Sequence, residues 1–541
     1  MSTHVAFRRA PVPAQLAQQL QAISIPAPTN GLTTSQNLSA MTPGSAIIHD
    51  NWKPTLQGVA LRGGCLRWCE LPETTPVISA FEYTSANVQK MFAGNATKLY
   101  DVTANGTPTL VKSGQTSGNY CASQMANASG DYLMVVNDAG DFPLRFDGST
   151  WTVLNSNQIT GPPGSTVVDG ENLTYVWKYR NRWFFIEGGS MNAWYLPIDA
   201  IEGALAMIPL SGAASKGGKL LFGATWSLDA GDGIGQKCVF ATDMGEIIVF
   251  SGTDPSTASN WQQEGLYSMS PPMGMNAHLQ VGADLLVATI DGIIPVSQAI
   301  SKDVTILDMA AITMPIRSMW RDEVAARRTL PWTMKKWDEY GGIFVTWPGG
   351  LSGQTRCAAF NNGTNAWTRF TGWDAMCFIR MRENLFFGTQ DGIIMQADQT
   401  GTDDGKPYVA TLALGWSVFQ GGAAEVTWHQ ARATFRSDSG EPFLPQLASM
   451  VDYLVQLPPA PPSGQDQAGA DVWDQGLWDV AKWDQAAPPR LAEIRNTYWV
   501  SIGMTGYSHS PVVQVTVSQR VKPDVELIAI GATYETLGVN V

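Results

Sequence analysis

The chain has 541 residues, with 34 basic against 47 acidic side chains, a formal net charge of −13 and only 15% of its residues charged. That balance excludes sequence-independent gripping of nucleic acid, which needs clustered lysine and arginine to neutralise phosphates, although such a surface can face nucleic acid without sticking to it. The length calls for two or three structural units, and 20 tryptophans among 53 glycines and 32 prolines suit short strands and tight turns, so an all-β chain is expected.

The opening residues carry Arg8 and Arg9 but no continuous apolar core after them, so no signal peptide is read there, and no run of about 18 apolar residues predicts a membrane span. Six cysteines (Cys65, Cys69, Cys121, Cys238, Cys357, Cys377) are too thinly spread for a disulfide framework. Cys65 and Cys69 have no second pair or histidine nearby to complete a tetrahedral site, so ordinary thiols are expected, with no metal and no cofactor.

Residues 1–45 show no sustained periodicity and read as an extended N-terminal arm that lies on another surface. After them Leu61-Arg62-Gly63-Gly64-Cys65 pairs arginine with two glycines in a charge-poor region, and the glycine pair predicts a sharp turn. Strand runs then recur: 77–83, 88–93 and 98–102; 132–137, 143–146 and 150–154; 173–179, 182–187 and 193–196; 220–225, 237–242 and 247–251; 278–282, 285–289 and 293–297. Cys357–Asp398 reads as one four-stranded antiparallel module, with turns at Asn362-Gly363 and Asp391-Gly392 and with Trp367 and Trp373 to bury. Asp291-Gly292-Ile293-Ile294 is echoed by Asp391-Gly392-Ile393-Ile394, and more weakly by Met244-Gly245-Glu246-Ile247-Ile248, so one hairpin recurs. About six such modules predict a β-propeller over residues 46–400, which closes radially and so removes long free edges; a pair of β-sandwiches is the competing reading.

Between residues 304 and 340 the period becomes helical, with Pro331 ending it, so a short helical insertion is expected between two modules. Its Arg317, Arg321, Arg327 and Arg328 form the densest basic cluster, read either as a solvated face or as a contact for an acidic partner or passing nucleic acid. Residues 401–541 carry longer strand runs (411–416, 424–433, 450–457, 497–505, 511–518, 525–534) and predict a second, sandwich-like antiparallel domain. Inside it a proline-rich stretch, 458–464, precedes 472–484, where Trp473, Trp478 and Trp483 are each followed by aspartate. The five-residue spacing fits neither helix nor strand, so this segment is read as a wrap whose tryptophans dock onto a surface, such as that of a neighbouring subunit. The acidic span from Asp438 to Glu493 holds nine carboxylates against Lys482 and Arg490.

No phosphate-binding loop, HExxH, GxSxG or calcium-loop spacing occurs, and His4, His49, His278, His429 and His509 are scattered singly, so no catalytic residues are expected. Asp291 and Asp391 suit a glycosidase pair only in principle, since each precedes a turn glycine.

Residues 365–378 (NAWTRFTGWDAMCF), 384–388 and Asp391-Gly392 resemble a central signature of structural proteins of tailed bacteriophages and prophages. Residues 292–297, Ala325-Ala326-Arg327-Arg328, the tryptophan series and the close at Tyr534-Glu535 are similar to other parts of that family. The resemblance to that family covers most of residues 50–541, and the chain's general form also resembles the nozzle, or tail tubular, proteins of short-tailed phages, which are β-propellers in a six-fold ring below the portal and adaptor. The resemblance implies a non-enzymatic, ring-forming component of the virion tail, assembled in the bacterial host cytoplasm. It would join the adaptor to distal tail parts, contact tail fibre or spike proteins, and touch exiting DNA transiently. Alternatives are a carbohydrate-binding or glycan-cleaving tail module and a minor structural protein of a long-tailed phage.

Overall fold

The computed structural model describes residues 20–227, 235–349, 356–437, 445–462, 493–519 and 521–537. Short apolar runs at 91–93, 133–136, 183–186, 238–241, 285–288, 343–345 and 385–387 are each buried on both faces. Each is the second strand of an antiparallel sheet, and burial on both sides follows because each sheet is covered by the sheet before it and the sheet after it. This part of the chain is a β-propeller.

Its blades follow in chain order. Blade one holds Ser79–Thr84, Gln89–Gly94, Leu99–Asp101 and Thr109–Lys112; blade two holds Tyr120–Asn127, Gly130–Asn137, Leu144–Phe146 and Trp151–Val153. Blade three is Leu173–Tyr179, Arg182–Glu187, Asn192–Tyr195 and Ala206–Pro209, and blade four is Leu220–Ser227, Gln236–Thr242, Glu246–Gly252 and Trp261–Ser268. Blade five has three strands among the described residues, His278–Val281, Asp284–Thr289 and Gly292–Pro295. Blade six is Met334–Trp337, Gly342–Trp347, Arg356–Asn361 and Ala366–Phe370. Blade seven is Cys377–Met381, Asn384–Gly388 and Ile393–Thr400, completed by Gly64–Glu70 from before blade one (Ile393 opposite Glu70, Ile394 opposite Cys69). Packing runs from each blade to the next and from blade seven back to blade one, so the circle closes. The expected count of about six matches the four-stranded units, and the three-stranded sheet is an additional member.

Several expectations are corrected. Cys357–Asp398 is not one module: its first two strands finish blade six and its last three begin blade seven, because residues 371–376 cross between the blades. Trp373, in that crossing, packs on Phe344 of blade six and Phe387 of blade seven, with ring centroids at 6.0 and 5.2 Å. The glycine pair serves close approach rather than a turn: a Cβ on Gly64 would lie 2.0 Å from the Thr402 carbonyl oxygen, and one on Gly63 would lie 2.5 Å from the Asp398 carboxylate.

Strands Trp52–Pro54, Val59–Leu61, Val525–Thr536, Val426–Ser437 and Glu493–Asn496 form one sheet, joined by Gln21–Pro26 and Val500–Gly506. A second sheet holds Ala46–Asp50, Tyr408–Leu414, Ser508–Val517, Ser417–Val418 and Gln446–Val451. Their facing side chains, among them Trp52, Leu412, Phe435, Val513 and Leu527, share one buried core, which makes this unit a sandwich. Residues 46–61, expected in the propeller, therefore belong to the sandwich sheets. Part of the expected arm is also structural: Gln21–Pro26 pairs with Val525–Thr536, and Leu32 donates to the Trp367 carbonyl of blade six at 2.8 Å. The strand expected over 450–457 stops at Val451, where Asp452 and Tyr453 turn left-handed (φ 50° and 61°).

The insertion between blades five and six carries helix α1 (Val296–Ser301), 3-10 turns at Val304–Ala310 and Met314–Ile316, and helix α2 (Arg317–Arg327). The strand expected over 293–297 ends at Pro295, where α1 begins. Trp320 of α2 is fully buried against Trp332 and Trp347, with ring centroids at 5.1 and 6.3 Å, and its Nε1 donates to the Thr289 carbonyl at 3.0 Å.

Candidate assembly interface

Three places concentrate polar or exposed apolar groups: the propeller axis, the junction of propeller and sandwich, and the outer surfaces of the insertion and the sandwich.

Side chains of blades that do not adjoin meet at the axis. Asn276, at the entry to blade five, donates to Asn119 Oδ1 at 3.1 Å and to the Tyr120 carbonyl at 3.4 Å, at the entry to blade two. Tyr175 of blade three shares a 3.0 Å hydrogen bond with His278 Nε2 of blade five, and the imidazole stacks on Phe222 of blade four at 4.2 Å. Lys335 of blade six reaches both carboxylate oxygens of Glu82 on blade one, at 2.8 and 2.9 Å. Burial drives the His278 pKa down to about 4, so the ring is neutral near pH 7 and suits packing.

At the junction Arg62 is fully buried and all five of its N–H donors are matched. Nη1 and Nη2 hold Asp403 in a two-pronged pair at 2.8 and 2.6 Å, Nε reaches Asn51 Oδ1 at 2.7 Å, and the Gly63 and Thr371 carbonyls accept at 2.9 and 2.7 Å. The guanidinium lies 3.9 Å from the Tyr408 ring centroid. Asp398 stands beside it, accepting from Gly63 N at 2.6 Å and from Lys53 at 3.3 Å and pairing with Lys522. Burial pushes the Asp398 carboxyl up, but Lys53 and Lys522 outweigh that and hold it below the usual range. Sequence reasoning missed this hub; its only local signal was an arginine set between apolar residues and two glycines.

The four expected interface arginines divide. Arg327 is buried, paired with Glu323 at 2.6 Å and donating to the Pro348 carbonyl at 2.9 Å, and Arg356 also pairs with Glu323. Arg317 is half-buried on Asp308, whose other near cation is the exposed Arg321 at 4.0 Å. Arg328 is exposed. At 100° per residue Arg317, Arg321 and Arg328 fall within about 40° of one another on the helix. Beside them Val304, Ile306, Met309 and Met314 stand exposed, Met309 to 68%. Trp473, Trp478 and Trp483 lie outside the described residues, as does most of the acidic span from Asp438 to Glu493.

The sandwich carries a second exposed apolar area. Ile494, Tyr498, Trp499, Val500 and Met504 face outward, Tyr498 to 91%. Between strands Gln446–Val451 and Val500–Gly506 lies an apolar cleft of about 330 Å³, lined by Leu447, Met450, Leu454, Leu457, Ile502 and Met504. Asp291 accepts a hydrogen bond from Ser270 Oγ, and Gly292 (φ 150°) and Gly392 (φ 81°) make the hairpin turns that the echo predicted. All six cysteines are buried free thiols.

No protein-family model matches the chain, and no curated protein matches it. Among solved structures it is similar to β-propeller proteins. The β-propeller domain of Cps50 (Swd1) from Myceliophteria thermophila matches at 11% identity over 63% of this chain and 100% of that one, with a TM-score of 0.37. Sqt1 from Saccharomyces cerevisiae matches at 10% identity over 62% and 98%, with a TM-score of 0.34. The six-bladed lectin of Aleuria aurantia matches at 12% identity over 55% and 96%, with a TM-score of 0.29.

Proposed function

We propose that this chain is a non-enzymatic structural component of a bacteriophage tail, assembling with copies of itself into a ring that joins a head-proximal adaptor to distal tail parts and conducts DNA. The observation that carries the reading is the pair of separate exposed apolar surfaces on one chain: Val304, Ile306, Met309 and Met314 on the propeller insertion, and Ile494, Tyr498, Trp499, Val500 and Met504 on the sandwich. Two different sticky surfaces on one chain suit head-to-tail contact between copies, which closes into rings. The sequence resemblance supplies the tail setting. Because side chains of opposite blades meet at the propeller axis, a conduit would run between copies, and the net charge of −13 would keep DNA from adhering to its wall if acidic residues line it.

Immunogold labelling of purified phage particles with antibody to this chain tests the reading. Gold at the head-proximal end of the tail is expected, and unlabelled particles would overturn it.

A second reading, glycan binding by a tail module, is favoured by the exposed Tyr498 and Trp499 on the sandwich, since flat aromatic faces suit sugar rings; one face of Trp499 is covered by Arg432 at 4.7 Å, which leaves the other for a ligand. Binding of a host polysaccharide that is lost in Trp499→Ala would favour it over the first.

A further inference from the structure

Segment 472–484 has an unusual chemistry: Trp473, Trp478 and Trp483 each precede an aspartate, Val472, Leu477 and Val480 add aliphatic groups, and Lys482 is the one cation. A surface that receives it must offer apolar contact and positive charge side by side. Among the described residues the insertion between blades five and six does so. Leu307 anchors the turn Val304–Ala310 in the core, which leaves Val304, Ile306 and Met309 outward. Asp308 of the same turn pairs with Arg317 and lies 4.0 Å from Arg321, so the apolar strip and the basic stripe of α2 share an edge. Across this face Lys302, Arg317, Arg321 and Arg328 stand against Asp303 and Asp308, with the exposed Asp322 about 100° further round α2 from Arg321, which leaves a small excess of positive charge in a chain that is acidic as a whole.

We propose that segment 472–484 of one copy docks on the Val304–Ala310 and α2 face of a second copy, head to tail. Asp474, Asp479 and Asp484 meet the exposed guanidinium groups of Arg321 and Arg328, which present planar donors suited to carboxylates. The tryptophan rings cover Ile306, Met309 and Met314, where thioether sulfur and aromatic ring attract, and their faces take the arginine cations. Buried aromatic anchors with arginine partners are the side chains that dominate protein interfaces. Charge complementarity selects the occupant, since the segment is acidic where the face is basic.

The inference rests on the assembly reading only in taking the partner to be a second copy. Its test uses full-length chains in size-exclusion chromatography with light scattering. The wild-type chain is expected to self-associate at micromolar concentration. The double variants Arg321→Glu with Arg328→Glu, and Trp473→Ala with Trp478→Ala, should each weaken association by at least about tenfold. Arg321 and Arg328 are exposed, so unchanged melting curves should show that the first variant folds. Mixed in equal amounts, the two variants should form a two-chain particle, because one keeps its segment and the other keeps its face. A monomeric wild-type chain, a variant that assembles like wild type, or a mixture that stays monomeric would each overturn the inference; the last is the result expected of docking within one chain. Head-to-tail pairing by a chain missing from purified tails would leave this inference standing and remove the tail reading. Tails that contain the chain but assemble normally with both variants would do the reverse.

Discussion

Arg62 is the side chain on which the joint between propeller and sandwich should depend most. Replacement by methionine keeps much of the apolar stem and removes the guanidinium. Asp403, with a side chain only 12% exposed, then loses its cation, the Gly63 and Thr371 carbonyls lose their donor, and Asn51 Oδ1 keeps only the Thr371 N–H. Removing one partner of a buried pair costs about 3–5 kcal/mol, because the other charge is left without compensation. Arg62→Lys should also be harmful, by about 1–3 kcal/mol, since an ammonium has three donors for five acceptors and cannot stack flat on Tyr408. Urea unfolding followed by tryptophan fluorescence gives the loss, and calorimetry shows whether propeller and sandwich separate into two transitions. Arg62→Met with Asp403→Leu should recover much of the stability, because the stranded carboxylate is gone. A loss below about 1 kcal/mol in Arg62→Met, or no recovery in the double variant, would refute the account of the hub as a charge matched on every side.

Acid should weaken the fold through its buried histidines. Burial lowers His49 to about 3 and His278 to about 4, so the folded chain resists protons that the unfolded chain takes up below about 6.5. The stability is complete above about pH 6.5 and falls as pH drops toward 4, by about 3 kcal/mol for each ring; denaturant titrations at pH 7, 5.5 and 4 should show it, and a flat profile would count against neutral buried rings. Gly64→Ala should cost about 1–3 kcal/mol, read as a lower melting temperature, because its Cβ would displace the Thr402 carbonyl that accepts from Cys65 N at 3.0 Å. Glu323→Ala should cost about 3–5 kcal/mol by stranding the buried Arg327, whereas Arg321→Glu on the exposed face should change the melting temperature little; equal effects would mean that the buried and exposed arginines had been misassigned.

Local chemistry made much of the propeller legible. Second strands buried on both faces leave continuous apolar runs such as Trp183-Phe184-Phe185-Ile186, and the turns that follow carry glycine, so strand edges fell within a few residues in six blades, while the equally buried Gly342–Trp347 of blade six was missed. The Asp-Gly-Ile-Ile echo marks the turn between second and third strands in blades five and seven, and the Met244-Gly245 copy marks the same place in blade four. Outer strands such as Thr109–Lys112, Ala206–Pro209 and Trp261–Ser268 were missed because their faces are partly in water and carry mixed side chains. Long-range pairing left no local trace either. Gly64–Glu70 completes blade seven more than 300 residues away, and Asp50 meets Arg369 across a similar gap, where no period in the sequence reports the partner. The basic cluster on α2 was visible as charge, but its division into a buried Arg327 and exposed Arg321 and Arg328 depended on where Glu323 and Asp308 came to lie.

These long-range links bear on assembly. Asp50 bridges to Arg369 at a single register position, and their side chains form a two-pronged ion pair at 2.7 and 2.8 Å, so blade six and the second sandwich sheet meet edge to edge at one bridge. Arg62, Asp398 and Trp373 add polar and aromatic contact at the same seam. Hinging at this seam would break the bridge, the ion pair and the Arg62 bonds together, a resistance that a flexible linker lacks. The exposed face of the insertion, whose α2 leads directly into blade six, is thereby held against the side of the molecule that carries the sandwich. Fixed geometry between two different contact surfaces is what lets identical chains repeat one rotation and close, since a loose joint would give chains of variable curvature. The seam that sequence patterning could not reveal is thus the feature on which a ring of this protein would most depend.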